Sequence, residues 1–199
     1  LVNPEIPRRV NERAIHDFLT HQYVPAPATI YRDIRKLPAA HALVWEEGRI
    51  RVWRYWTLEY EPKLDISPAE AAERADALID EATRLRLESD VPLGVFLSGG
   101  IDSSIVVAMA RRHSSGTLRT FSIGFEEQGY NELPYARQVA ERCETRHEER
   151  IVRADAARAL PRLAWHFDEP YADMSAVPTL ILAEMTRRQV TVALNGDGG

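Results

Sequence analysis

Between Phe96 and Ser104 the chain reads FLSGGIDSS, an apolar run broken by two adjacent glycines, one carboxylate and three hydroxyls. Gly99 and Gly100 let the backbone bend tightly and approach a ligand closely, and Ser98, Ser103 and Ser104 can donate hydrogen bonds. A strand that runs through such a turn straight into a helix gathers free amides and the positive end of the helix dipole at one point, which attracts phosphate. Asp102 would repel a phosphate unless a divalent cation lay between them, so its presence predicts Mg2+ and, with it, a nucleoside triphosphate. The competing reading is a plain strand-to-helix turn, with glycine relieving strain and Asp102 complementing the dipole. A bare Ser-Gly-Gly would favour that turn; the full strand, S-G-G-x-D-S and helix favour phosphate. A Walker loop needs a lysine after its glycines and the dinucleotide fingerprint needs spaced glycines, so both are excluded here. No lysine follows Lys63, which leaves amides, arginine, metal or groups outside the chain to meet the phosphate charge.

The elements that would position this loop form an alternating series. The sequence predicts strand 91–97, helix 103–112, strand 119–125, helix 132–143, strand 149–152, helices 154–167 and 177–187, and strand 190–194. Near-continuous apolar strands between helices indicate an α/β fold, a parallel sheet with helices on both faces. Upstream, "SPAE" at Ser67–Glu70 has the hydroxyl, proline and glutamate of a capping box. The helix it opens runs to about Glu88, with Ala71, Ala75, Leu78, Ile79, Ala82 and Leu85 as a stripe expected to face a core. The first sixty residues differ. Asn11 is a candidate N-cap for a short helix to Leu19, and "HALVWEEGRIRVWRYW" reads as a β-hairpin around Glu46-Glu47-Gly48. Trp45, Trp53, Tyr55 and Trp56 are expected to pack on one another there. "EYEPKLDIS" is the expected connector, giving a small β-containing domain remnant at 1–62 and the main domain at 63–199.

The chain has 199 residues and a formal net charge of -5, with acids interspersed among its basic residues, which argues against a nucleic-acid partner. Cys143 is a lone cysteine and reads as an ordinary helix residue; the six histidines show no metal-binding spacing. No apolar run is long enough to span a bilayer and no signal peptide opens the chain, so a cytoplasmic protein is expected. Leu1 at one end and Gly-Asp-Gly-Gly at the other read as cut ends, as of a piece of a longer protein.

The loop "SGGIDS" resembles the pyrophosphate loop of the ATP-pyrophosphatase families. With "VPLGVFLSGGIDSS", "TFSIGFEE", "NELPYARQVAE", "DEPYADMSAVPT" and "LNGDGG" in this order, the chain resembles the synthetase domain of glutamine-hydrolysing asparagine synthetase. The upstream "FLTHQYVPAPATIYRDIRKLPAAH" is similar to the tail of that family's glutaminase domain. The resemblance implies an adenine nucleotide alpha hydrolase-like fold and a ligase that amidates L-aspartate with ATP, Mg2+ and glutamine-derived ammonia. It further implies a glutaminase domain in the same parent chain, and it allows a homodimer. Carried over by position, Ser98, Gly99, Gly100, Asp102 and Ser103 would hold pyrophosphate and its Mg2+, with Asp102 as metal ligand. Phe96 and Ile123 would line the adenine pocket, Gly124 would let the ring approach, and Asn195 and Gly196 would meet the nucleotide. Asp197 would be the second acid near the metal or the reacting carboxylate. Asp168, Glu169, Asp173 and Ser175 could line the acceptor site; from the residues alone, a loop capping the next helix is an equal reading.

The chain departs from the family pattern in several places. It lacks the catalytic N-terminal cysteine of the glutaminase half and the lysine expected beyond "GDGG". Position 195 is Asn where serine is more usual, and "PAAH" lacks an expected glycine. Two other readings therefore stand beside asparagine synthesis: a relative with another acceptor, such as a β-lactam or peptide cyclase or a natural-product amidotransferase, and an inactive nucleotide-binding module.

Overall fold

The computed structural model describes residues 3–126, 129, 131–152 and 156–197. In chain order the elements are α1 (Glu12–His21), β1 (His41–Glu46), β2 (Arg49–Arg54), α2 (Pro68–Arg86), β3 (Leu93–Phe96) and α3 (Ile101–His113). They continue as β4 (Arg119–Phe125), α4 (Leu133–Arg142), β5 (Arg146–Val152), α5 (Ala156–Phe167), α6 (Ala176–Thr186) and β6 (Val192–Leu194). Two compact units emerge: Leu1–Leu64 with Ala156–Ala176, and Asp65–Asp155 with Val177–Gly199. The segment 156–176 thus groups with the first unit.

In the first unit, β1 and β2 pair antiparallel with Glu46 opposite Arg49. Glu47 and Gly48 both take positive φ, 48° and 75°, the two-residue turn whose twist matches that of hairpin strands. The aromatic packing expected on this hairpin does not form. Trp45, Trp53, Tyr55 and Trp56 are all exposed, and Trp53 is covered by the Arg51 guanidinium, 5.0 Å from the ring centre. A two-stranded ribbon has no second layer of its own, so strand alternation alone cannot bring these rings together.

The second unit carries the parallel sheet, in strand order β5-β4-β3-β6. Side-chain parity sorts its two faces. Val95 and Leu97 pack with Val107 and Ala110 of α3 and Ala136 and Ala140 of α4. Phe96 and Phe121, opposite each other in register, turn the other way to Leu182 and Met185 of α6 and to Val190. Helices therefore cover both faces, as the sequence predicts. Full burial of a Val, Leu or Phe contributes about 1.5–3 kcal/mol. Exposed pairs such as Arg84 with Glu81 are screened by water and contribute little, so the apolar layers hold the sheet together.

The α2 capping box forms as expected: Glu70 N–H donates to Ser67 Oγ at 3.2 Å, and Ser67 N–H donates to Glu70 Oε2 at 2.9 Å. The apolar stripe of α2 does not find a core. Leu78 and Leu85 are exposed and only Thr83 is buried. Ion pairs link α2 to α3, Asp80 to His113 at 2.9 Å and Asp80 to Arg112 at 3.6 Å. Periodicity reveals a face that can be covered, not what covers it.

One buried polar cluster ties β4 to β5. Thr120 Oγ1 lies 2.8 Å from Thr145 Oγ1 and 2.9 Å from His147 Nδ1. His147 Nε2 is buried without a hydrogen-bond partner. Burial holds the imidazole below its ordinary range, partly offset by the Glu149 carboxylate. Because the unfolded chain then takes up the proton first, this stabilisation is complete above about pH 6.5 and is lost as pH falls below it. Urea midpoints at pH 8 and pH 5 should therefore lie closer together in His147→Gln than in the unaltered chain. An unchanged gap would show that His147 does not set the acid limb.

Candidate functional site

The chain steps from β3 to β4 to β5 in one direction and then returns to place β6 on the far side of β3. Strand order reverses between β3 and β6. In open α/β sheets the crevice at the carboxyl ends of the strands at such a reversal is where ligands bind. Two segments meet there: Ser98–Gly100 after β3, and Asn195–Asp197 after β6. Leu194 pairs with Val95, so the second segment leaves the sheet one residue before Phe96, the end of β3.

The first segment turns sharply because Gly99 adopts φ 88°, where side chains are strained. It is also hemmed in by α4: a Cβ at Gly99 would stand 2.5 Å from the Ala136 nitrogen and 2.7 Å from Tyr135 Cβ. Gly100 is the N-cap of α3 and provides no side-chain cap, so the first-turn amides of that helix receive none from it. The serines brace the loop. Gly100 N–H donates to Ser98 Oγ at 3.1 Å, Ser98 N–H donates to Ser103 Oγ at 3.2 Å, and the two hydroxyls lie 3.0 Å apart. Ser104 Oγ donates to Gly100 O at 2.6 Å. Ser103 is buried, which makes it chiefly a shaper of the loop, whereas Ser98 and Asp102 are exposed at its rim.

The second segment is pressed onto the start of α3. A Cβ at Gly196 would lie 2.8 Å from the Ser103 nitrogen and 3.0 Å from Asp102 Cβ. Asn195 and Asp197, on either side, are joined by two hydrogen bonds, Nδ2 to Oδ2 at 2.9 Å and Asp197 N–H to Asn195 Oδ1 at 3.2 Å. The structure thus brings Ser98, Gly99, Gly100, Asp102, Ser103, Asn195, Gly196 and Asp197 to one crevice.

Phe96 and Ile123 share the α6 face of the sheet by parity, both half-buried. Gly124 faces the other way, and the space a side chain would take there belongs to α4: a Cβ would lie 2.4 Å from Leu133 Cδ1 and 2.7 Å from Asn131 Oδ1. Packing alone accounts for that glycine. Asn131 also accepts the Leu133 N–H at 3.2 Å, which opens α4. Tyr135, exposed beside Gly99, is a neighbour of the loop that motif reading passes over. Its only signal in the sequence is its place just after Pro134 at a helix start.

Asp168, Glu169, Asp173 and Ser175 lie in the first unit. Glu169 Oε1 is 2.5 Å from Lys36 Nζ, and both line a cavity of about 390 Å3 with Asp168, Phe167, Tyr31 and Ile34 among its walls. The Asp173 carboxylate accepts the Ser175 N–H at 2.7 Å and the Ser175 hydroxyl at 2.6 Å. Both bonds close a local Asp173–Ser175 turn just before α6.

Among the described residues no three His, Cys, Asp or Glu side chains converge on a metal cage. Mg2+ is ordinarily held by one or two carboxylates with substrate phosphates completing its shell. An exposed Asp102 beside an uncapped helix start fits that manner of binding. Among the described residues, no helix is long and apolar enough to cross a membrane.

Comparison with known proteins gives concordant matches. The family model described as asparagine synthase matches residues 74–199, and that described as a glutamine amidotransferase domain matches residues 1–56. A protein of Methanocaldococcus jannaschii named as a putative glutamine-hydrolyzing asparagine synthetase is 37% identical over 195 residues, 96% of this chain and 37% of that protein. Glutamine-hydrolyzing asparagine synthetase 1 of Bacillus subtilis is 34% identical over 192 residues, 95% of this chain and 30% of that protein. A Penicillium rubens protein named amidase chyE is 29% identical over 192 residues, 85% of this chain and 28% of that protein. The chain spans about a third of the length of these curated relatives.

Proposed function

The chain belongs to the asparagine synthase family, and on that premise we propose that its second unit uses ATP to adenylate a carboxylate acceptor, the side chain of L-aspartate. In this reading a carboxylate oxygen of the acceptor attacks the α-phosphorus of ATP, and the bond to the bridging oxygen of pyrophosphate breaks. Ammonia released from glutamine then attacks the β-aspartyl-adenylate and displaces AMP, giving asparagine.

The single observation that carries this reading is the meeting of an uncapped helix start with a second strand end at the point where strand order reverses. Backbone at Gly99 and Gly100 and the first-turn amides of α3 would hold the pyrophosphate as negative charge develops on it, with the Ser98 hydroxyl at the rim. Ser103 would keep that cradle in shape. Phe96 and Ile123 would offer apolar surface to the adenine, with Gly124 at the same strand end, while Asn195 and Gly196 would form the opposite wall. Asp102 would hold Mg2+, which supplies neutralisation of phosphate charge. Asp197 would serve as the second acid, orienting the reacting group.

The match of residues 1–56 to an amidotransferase domain supports a glutaminase domain in the same protein as the ammonia source. A cytoplasmic location, assembly as a homodimer, and partners confined to small molecules complete the proposal. A second reading is the same adenylation on a different acceptor; one relative carries a name other than asparagine synthetase.

Exchange of labelled pyrophosphate into ATP, with Mg2+ and with or without L-aspartate, tests these readings. Exchange that depends on aspartate is the expected result. Exchange only with another carboxylic acid would favour the second reading, and ATP binding without exchange under any acceptor would reduce the chain to a nucleotide-binding module.

A further inference from the structure

Asn195 directs both of its side-chain polar atoms at one residue. Nδ2 donates to the Asp197 carboxylate at 2.9 Å, and Oδ1 accepts the Asp197 backbone N–H at 3.2 Å. A side-chain amide does this with a separate donor and acceptor; an ionised carboxylate has no donor, and an alanine has neither. Gly196, between the two, is fixed from behind by Asp102 and Ser103 of α3, which leave no room for a Cβ. The backbone of the turn is therefore held by the helix, and the side chain of its last acid by Asn195.

From this geometry we infer that Asn195 is a positioning residue that holds the Asp197 carboxylate in one orientation at the crevice beside the start of α3. Both residues are exposed, so water competes for the same atoms and the net stabilisation from each bond is small. What the pair supplies is direction. An exposed aspartate otherwise samples several rotamers, and a reacting group misplaced by about 1 Å can lower a rate by about 100-fold. The inference rests on the proposed role of Asp197 as the second acid of an adenylating site.

Its test compares pyrophosphate exchange, ATP affinity and melting temperature in the unaltered chain and in Asn195→Ala, Asn195→Asp and Asp197→Ala. Asn195→Ala should lower the maximal exchange rate about tenfold while leaving the melting temperature in place, a split that a merely structural role would not give. Asn195→Asp keeps the shape and the acceptor but sets carboxylate against carboxylate. It should lose about 100-fold near neutral pH. Independently of turnover, the Asp197 backbone amide should exchange with solvent about tenfold faster in Asn195→Ala.

Exchange that survives Asp197→Ala, or is absent in the unaltered chain, removes the reading beneath and this inference with it. Exchange lost in Asp197→Ala but kept at full rate in Asn195→Ala overturns the inference alone, as does equal protection of the Asp197 amide in both proteins.

Discussion

Gly99→Ala is expected to destabilise the second unit by about 3 kcal/mol or more and to abolish pyrophosphate exchange. Two effects add. A non-glycine residue held at φ 88° costs of order 1–3 kcal/mol, and a methyl group 2.5 Å from the Ala136 nitrogen and 2.7 Å from Tyr135 Cβ adds about 1–3 kcal/mol of overpacking. Backbone atoms of α4 cannot swing aside as a flexible side chain would, so relief requires α4 or the loop to move. For a chain of this size the melting temperature should drop by about 10 °C. Gly100→Ala is the control. Its φ of -68° suits any residue, and its Cβ would meet only Ser98 Oγ, at 3.2 Å, so stability should change by less than about 1 kcal/mol. Equal melting of the two variants would mean that α4 does not confine the loop.

Asp102→Ala separates chemistry from folding. Asp102 is exposed in the first turn of α3, where a carboxylate complements the helix dipole by about 0.5 kcal/mol. Alanine retains the Cβ that faces Gly196, so the wall between the two strand ends stays intact and only the carboxylate is lost. Stability should barely move, while pyrophosphate exchange should fall about 100- to 1,000-fold. The residual rate should depend more weakly on Mg2+ concentration. Full exchange with an unaltered Mg2+ dependence would overturn the assignment of Asp102 as the metal-holding residue.

The alternation of strands and helices along the second unit was legible because it rests on local patterns. β4 spans 119–125 as the apolar run indicates, and α2 opens on the capping box spelled by Ser67, Pro68 and Glu70. The glycine turn between β3 and α3 was legible for the same reason, with strand, glycines and helix contiguous. What stayed hidden depends on partners distant in the chain. Nothing near Gly99 shows that Tyr135 and Ala136 press upon it, and nothing near Gly196 shows that it backs onto Asp102. Leu78 and Leu85 announce an apolar face on α2, yet both stay exposed, while Asp80 reaches Arg112 and His113 of α3. In "DEPYAD" the carboxylates look alike as letters, whereas Asp173 binds its own turn and Glu169 binds Lys36.

The confinement of Gly99 and Gly196 bears on how such chains evolve. Both glycines are demanded by the architecture around them, whatever ligand the crevice holds. A descendant that lost Asp102 would still be selected to keep them, simply to fold. Pseudoenzymes of this lineage should therefore retain the outline of the glycine motif while their acids drift. Retained glycines would then report an intact fold and say nothing of a working site.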